Sequence, residues 1–176
     1  MKKQSNVAEA VQHPVNTRAF HMAKARNVAR YGGRVDPIQR TPQALFDQLD
    51  SEFHFTLDAA SSDKNAKCER HFTIDDDGRM QSWAGETVWC NPPFGRAIRQ
   101  WVEKAWREAL NGATTVMLLP VGSDMDWWHT WVMEADEVRF IRGRVSFLTE
   151  SGARQGNSFM PCCIVVFRAA LSDGQQ

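Results

Sequence analysis

The stretch TVWCNPPFGRAIRQWVEKAWREALNGATTVMLLPV, residues 87–121, reads as strand, helix and strand in succession. Thr87-Val88-Trp89-Cys90 is a short β-rich segment that ends at Asn91-Pro92-Pro93-Phe94. Ile98, Trp101, Val102, Ala105, Trp106 and Ala109 then recur at helical spacing, and Asn111-Gly112 stops the helix. Thr114 to Val121 is an unbroken β-rich apolar run, the pattern of a strand buried on both faces. Two strands joined through a helix pair in parallel, so this stretch predicts an α/β fold.

The flanks extend the pattern. Upstream, Phe53-His54-Phe55-Thr56-Leu57 alternates and runs into Asp58, as a strand ending in a loop would. Before it, Thr41-Pro42 reads as an N-cap followed by proline at the first helical position, with Leu45, Phe46 and Leu49 on one helix face. Downstream, Ser123 with Asp126 resembles a capping box opening a helix through Trp127, Trp128, Trp131 and Val132. Glu137 to Ile141 and Phe159 to Phe167 are predicted as the last two strands, joined by a Ser/Gly/Arg/Asn loop. No helix separates them, so they are expected to pair antiparallel. The sheet is therefore expected to be mostly parallel with an antiparallel C-terminal strand pair.

A chain of 176 residues with 43% hydrophobic content fits one domain with a real core. Its apolar runs, such as Cys162 to Phe167, fall far short of the roughly 18 residues that a membrane helix needs. No apolar segment follows Lys2 and Lys3, so neither a signal peptide nor membrane insertion is expected. Four cysteines, two of them adjacent, suit reduced thiols in a cytoplasm. The net charge of zero averages two unlike parts: residues 1–40 stand at +6 and residues 41–176 at −6. A basic arm on an acidic body can contact a polyanion, because its lysines and arginines displace counterions from phosphates. The expected plan is a basic arm over 1–37, disordered in part or loosely helical around Asn16 to Tyr31, a folded domain over 38–170, and a tail over 171–176.

The chemistry concentrates at Asn91-Pro92-Pro93-Phe94, past the carboxyl end of a predicted strand, where ligands sit in open α/β sheets. Two prolines fix two φ angles and remove two amide donors. The Asn91 carboxamide oxygen and the Pro92 carbonyl can then accept both hydrogens of one exocyclic amine. Such bonds orient the nitrogen lone pair and stabilise positive charge as it attacks an electrophile. Phe94 offers a flat apolar face on which a flipped base can stack. Arg142-Gly143-Arg144 places two long donors beside a flexible glycine, suited to phosphate or guanine contacts. Cys68-x-x-His71 has metal-like spacing but no second pair, and Pro161-Cys162 opens a strand of Ile, Val and Phe. Neither a metal nor a cysteine nucleophile is expected.

The tetrapeptide resembles that of S-adenosyl-L-methionine-dependent amino-methyltransferases. Several blocks surround it in order: Thr41-Pro42-x-x-Leu45-Phe46, Phe55-Thr56-Leu57-Asp58-Ala59-Ala60, Trp83, Trp101-Val102-x-Lys104-Ala105, Leu118-Leu119-Pro120-Val121 and Ile141-Arg142-Gly143-Arg144-Val145-x-Phe147. This series is similar to the phage-type, Dam-like DNA N-6-adenine methyltransferases over roughly residues 38–168. The resemblance implies a Rossmann-like sheet, S-adenosyl-L-methionine as cofactor, double-stranded DNA as partner, and action in the cytoplasm of a bacterial host from a phage or prophage gene. It places Thr41, Pro42, Asp58, Ala59 and Ala60 at the cofactor, and Asn91, Pro92, Pro93 and Phe94 at the target adenine. Two features depart from it. Asp58-Ala59-Ala60-Ser61-Ser62 stands where most methyltransferases have a glycine-rich loop, and little chain is left between Asp58 and Asn91 for a ribose-binding strand. Asp75, Asp76 and Asp77 are the candidate ribose ligands in that gap, with solvated turn acids as the other reading. Rival functions are methylation of the cytosine 4-amino group, of rRNA guanine or of a protein glutamine, and an inactive DNA-binding module.

Overall fold

The computed structural model describes residues 39–149, 152–158 and 160–170. The predicted basic arm over 1–37 with its loose helix, and the tail over 171–176, lie outside the described residues. Helix α1 spans Gln43–Phe53 and is followed by strand β1, Leu57–Asp58. Strand β2 is Thr87–Cys90, helix α2 Ile98–Leu110 and strand β3 Thr114–Pro120. Helix α3, Asp126–Thr130, leads to β4, Glu137–Phe140. Strands β5, Ser146–Leu148, and β6, Arg154–Asn157, precede β7, Cys162–Phe167.

Five strands form one sheet in the order β1-β2-β3-β7-β4. The pairs β1/β2 and β2/β3 are parallel, while β7 runs antiparallel to both β3 and β4. The α/β class, the strand–helix–strand unit over 87–121 and the antiparallel pairing of the last two sheet strands are as the sequence predicts. Alternation along the strands sorts side chains onto two faces. Met117, Leu119, Cys163, Val165 and Phe167 pack with α2 and the tryptophans Trp127, Trp128 and Trp131. Trp89, Val116, Leu118, Cys162, Ile164 and Val166 pack on the other face with Phe46, Leu49, Val145 and Phe147.

Four local expectations need correction. The alternation over 53–57 is not a strand: α1 continues through Phe53, and His54 turns the chain in the left-handed region with φ 55°. Phe53 and Phe55 stack on each other, and Phe55 packs against Trp89, so their apolar character serves a turn on the α1 face of the sheet. Thr41 does not cap α1, whose N-cap is Pro42, because its hydroxyl is drawn into a longer-range bond. Ser123 makes no capping box either; α3 starts from Met125 without a side-chain cap, and the Ser123 carbonyl bonds the His129 ring instead. Finally, the segment read as a loop after β4 holds the antiparallel hairpin β5/β6, a separate two-stranded sheet. Among the described residues, no helix is long and apolar enough to cross a membrane.

Candidate functional site

Asp58 ends β1 and pairs with Trp89 of β2, so Asp58 and Asn91 emerge side by side at the carboxyl edge of the parallel strands. One cleft collects Gln39, Arg40, Thr41, Asp58, Ala60, Ser61, Asn65, Lys67, Trp89 and Asn91. It thus brings together Thr41, Asp58, Ala60 and Asn91, four residues the sequence singles out, across a long span of chain. A wider, open depression lined by Phe55, Thr56, Lys67, Cys68, Glu69 and Arg70 touches the cleft through Lys67.

The Asn91 amide donates from Nδ2 to the Gln39 carbonyl at 2.8 Å and to the Thr41 hydroxyl at 3.1 Å. A main-chain carbonyl only accepts, so this contact fixes which end of the amide is which. The consequence is that Oδ1 is left over: it is buried, with no partner among the described residues. Buried polar atoms are nearly always paired, so an orphan that lines a cleft calls for a partner from outside the chain, a water, an ion or a ligand group. No backbone N–H among the described residues donates to the Pro92 carbonyl either. Consecutive residues at the end of β2 thus each carry an acceptor without a protein donor among the described residues.

Asp58 is nearly fully buried, at 2% exposure. Its carboxylate accepts from the Ala60 N–H at 3.2 Å and from the Lys67 N–H at 3.0 Å, and so frames its own loop. Burial pushes its carboxyl up to about 6, against the pull of those two amides and of the His71 and Lys67 charges. A strand-like bridge between Asp58 and His71 holds the returning chain beside β1, which is how Lys67 comes to the cleft. His71 itself is engaged by the Glu69 carbonyl and Asp63.

Several predicted residues stand elsewhere. Pro42 starts α1, and Ala59 lies beneath the loop with its N–H on the Trp89 carbonyl at 2.9 Å. Gly78 presses on the Ala59 carbonyl so closely that a Cβ there would stand 2.2 Å from that oxygen. Pro92 is buried, Pro93 and Phe94 are half-buried, and Phe94 meets Phe147 of β5 edge to face at 5.8 Å. Arg142 and Arg144 are exposed between β4 and β5 and do not line the cleft. The hairpin nonetheless abuts the site through Phe147 and through a two-way backbone bridge between Leu148 and Arg40. Cys162 is buried in β7, and burial raises its thiol. Among the described residues, no strand lies between β1 and β2. In that gap Asp76 accepts from Thr73, and Asp77 pairs with Arg79.

Gln39, Arg40, Ser61, Asn65, Lys67 and Trp89 also line the cleft, and no sequence signal marks them. Gln39 contributes a main-chain carbonyl, which leaves no trace in residue type. Lys67 follows no spacing from Asp58, because the bridge that returns it is irregular chain.

The family described as DNA N-6-adenine-methyltransferase (Dam) matches residues 34–175. The chain is also 28% identical over 120 residues to a DNA N-6-adenine-methyltransferase of Escherichia phage T1, across 64% of this chain and 50% of that protein. It thus spans about half the length of the curated relative it matches.

Proposed function

The chain belongs to the DNA N-6-adenine-methyltransferase (Dam) family, and from that premise we propose that it moves a methyl group from S-adenosyl-L-methionine to the 6-amino group of adenine in double-stranded DNA. In this reading residues 38–170 are a Rossmann-like methyltransferase domain that acts site-specifically, in the cytoplasm of a bacterial host. The observation that carries it is the Asn91 carboxamide, held by its amino end with its oxygen buried and unpaired among the described residues.

The residues present fit the cofactor in their chemistry. Asp58 supplies a carboxylate for a cationic ligand, and Thr41, Ala60 and Ser61 flank it in the same cleft. The cleft alone is too narrow for the whole cofactor, and the open depression that joins it through Lys67 adds space beside it. When bound, S-adenosyl-L-methionine supplies a methyl group on a sulfonium, open to direct in-line displacement by an amine. Asn91 Oδ1 and the Pro92 carbonyl accept the two amine hydrogens and stabilise the charge that grows on nitrogen. Phe94, braced by Phe147, stacks on the extruded base. Extrusion is required because the amine in a duplex faces its pairing partner.

Incubating the protein with duplex DNA and methyl-labelled cofactor, then separating nucleosides, is expected to place label in N6-methyladenine. Label in 4-methylcytosine, or in RNA or protein with none in DNA, would overturn the assignment. In the 59–86 stretch, Asp75 is exposed, whereas Asp76 and Asp77 already serve turns. We assign no ribose contact to the latter two.

Protonation of Asp58 gives a separate check. The native protein holds this proton better than the unfolded chain does. Its contribution to stability therefore falls as pH rises from roughly 4 to about 6. A cationic cofactor favours the carboxylate, so binding should expel the proton and weaken as pH drops below about 6, at most tenfold per unit. Calorimetry at pH 5.5 in two buffers of different ionisation heat is expected to register proton release that Asp58→Asn abolishes. Equal heats in both buffers would refute it.

For DNA engagement, Arg142 and Arg144 are exposed beside Gly143, whose φ is 85°. Arginine-to-lysine replacement keeps charge but loses the bidentate fork. The double Arg142→Lys, Arg144→Lys protein is expected to lose discrimination between sites by at least roughly tenfold, since one bidentate base contact is worth about 1–3 kcal/mol, with little loss of overall affinity. Unchanged site preference in methylation mapping would move recognition to the adjacent hairpin.

A further inference from the structure

The geometry points to Arg40 and Lys67 as a paired receptor for the carboxylate of the cofactor's amino-acid end. This inference rests on the cofactor reading above and assigns it two residues that neither motif nor resemblance supplies.

Both side chains line the cleft that holds Asp58 and Asn91. Four buried side-chain polar atoms lack a partner among the described residues, and two of them, Asn91 Oδ1 and Arg40 Nε, belong to this cleft. The other two, on Trp101 and Thr115, belong to the core. The root of Arg40 is fixed: its N–H donates to the Leu148 carbonyl at 3.1 Å, and its carbonyl accepts from the Leu148 N–H at 3.0 Å. A backbone tied on both sides keeps the root of this side chain at the cleft.

Lys67 is close enough to Arg40 for the guanidinium charge to act on it. Its amine is lowered from the ordinary lysine value, first by burial and in part by Arg40, while Asp58 and Asp47 oppose this. Its Nζ donates to Gln43 Oε1 at 2.6 Å and stands 5.7 Å from the Phe46 ring centroid. Neither cation forms an ion pair among the described residues. Asp58 supplies the one carboxylate among the cleft's lining residues, and each of its oxygens accepts one amide, from Ala60 and from Lys67, which leaves lone pairs for a further donor. The two cations thus share one cleft without a salt bridge to any described carboxylate, although Asp58 and Asp47 act on Lys67 from a distance, and an incoming anion can pair with both.

The anion's identity follows from what surrounds it. A cleft lined by two cations and one buried carboxylate matches a zwitterion, whose carboxylate meets Arg40 and Lys67 and whose ammonium faces Asp58. A DNA phosphate finds the same cations but has no use for Asp58, which repels it. The 39–41 segment then has a double role. It is pinned by Asn91 from one side and by Leu148 from the other, and it carries Arg40 to the ligand.

The test uses the full chain without DNA and compares S-adenosyl-L-homocysteine with its decarboxylated counterpart, S-adenosyl-3-thiopropylamine, by calorimetric titration. The wild-type protein is expected to prefer the carboxylate-bearing ligand by on the order of 30-fold or more. Arg40→Met and Lys67→Met should each lose most of that preference while binding the decarboxylated ligand within about threefold of wild type. Lys67→Arg should restore much of it, and thermal melting checks that each variant is folded. Variants that keep the full preference overturn the receptor and leave the cofactor reading standing. The same holds if they keep it but, in a separate titration with duplex DNA, lose affinity and salt dependence, since the cations are then phosphate contacts. Wild-type protein that binds neither ligand overturns the cofactor reading, and the receptor falls with it.

Discussion

An Asn91→Ala protein is expected to transfer methyl groups about 100-fold more slowly than wild type, the usual loss for one preorganised polar group at a developing charge. Cofactor binding should change as well. In the proposed reaction Asn91 acts through two atoms: Oδ1, without a partner among the described residues, is the acceptor, and Nδ2 holds the 39–41 segment through Gln39 and Thr41. Alanine removes both, so cofactor affinity should weaken modestly alongside the fall in turnover. Asn91→Asp separates them. A carboxylate still accepts from an amine, but it has no hydrogen to give to the Gln39 carbonyl. Single-turnover rates measured at saturating cofactor are expected to fall less for Asn91→Asp than for Asn91→Ala, while cofactor affinity falls more. Near-wild-type turnover in Asn91→Ala would remove Asn91 from the chemistry altogether.

Trp83→Ala should lower stability by about 3–5 kcal/mol, the upper range for truncating a single core side chain. Trp83 is fully buried, stacks against Trp101 with ring centroids 6.4 Å apart, and lies 5.5 Å from the Lys104 ammonium. Its indole donates to the Gly78 carbonyl at 2.8 Å, and its own N–H is accepted by the buried Glu108 carboxylate at 2.7 Å. Gly78 in turn backs the Ala59 carbonyl, so the cavity would open behind the loop that carries Asp58 and Ala60. Chemical denaturation should show the full loss for alanine and a much smaller one for Trp83→Phe, which keeps a ring but gives up the indole donor. A loss near 1 kcal/mol for alanine would mean that the surrounding helix and turn collapse into the space.

How far each feature could be read from sequence depends on the range of the interaction that fixes it. The strand and helix over 87–110 and the strand over 114–120 were legible because their burial follows a simple period. Met117 and Leu119 face one layer while Val116 and Leu118 face the other, and the α2 positions that repeat at helical spacing are the buried ones. The tetrapeptide at the end of β2 was legible for the same reason, since strand ends in a parallel sheet share one edge. Periodicity misled at Phe53 and Phe55, where the alternating apolar residues pack as an aromatic turn.

The sequence by itself determined the α/β class and put the Asn91 tetrapeptide at the end of a strand, on the edge of the sheet where the candidate cleft lies. Only the tertiary structure decided that Thr41 serves Asn91 rather than its own helix, that a hairpin abuts the site, and that Arg40 and Lys67 meet in one cleft. Hydrophobic periodicity is written into consecutive residues and needs no partner to be read. A hydrogen bond between Asn91 and Gln39, or a bridge between Arg40 and Leu148, joins groups that any residue carries or many could supply. Such contacts exist only once the sheet has brought distant chain together.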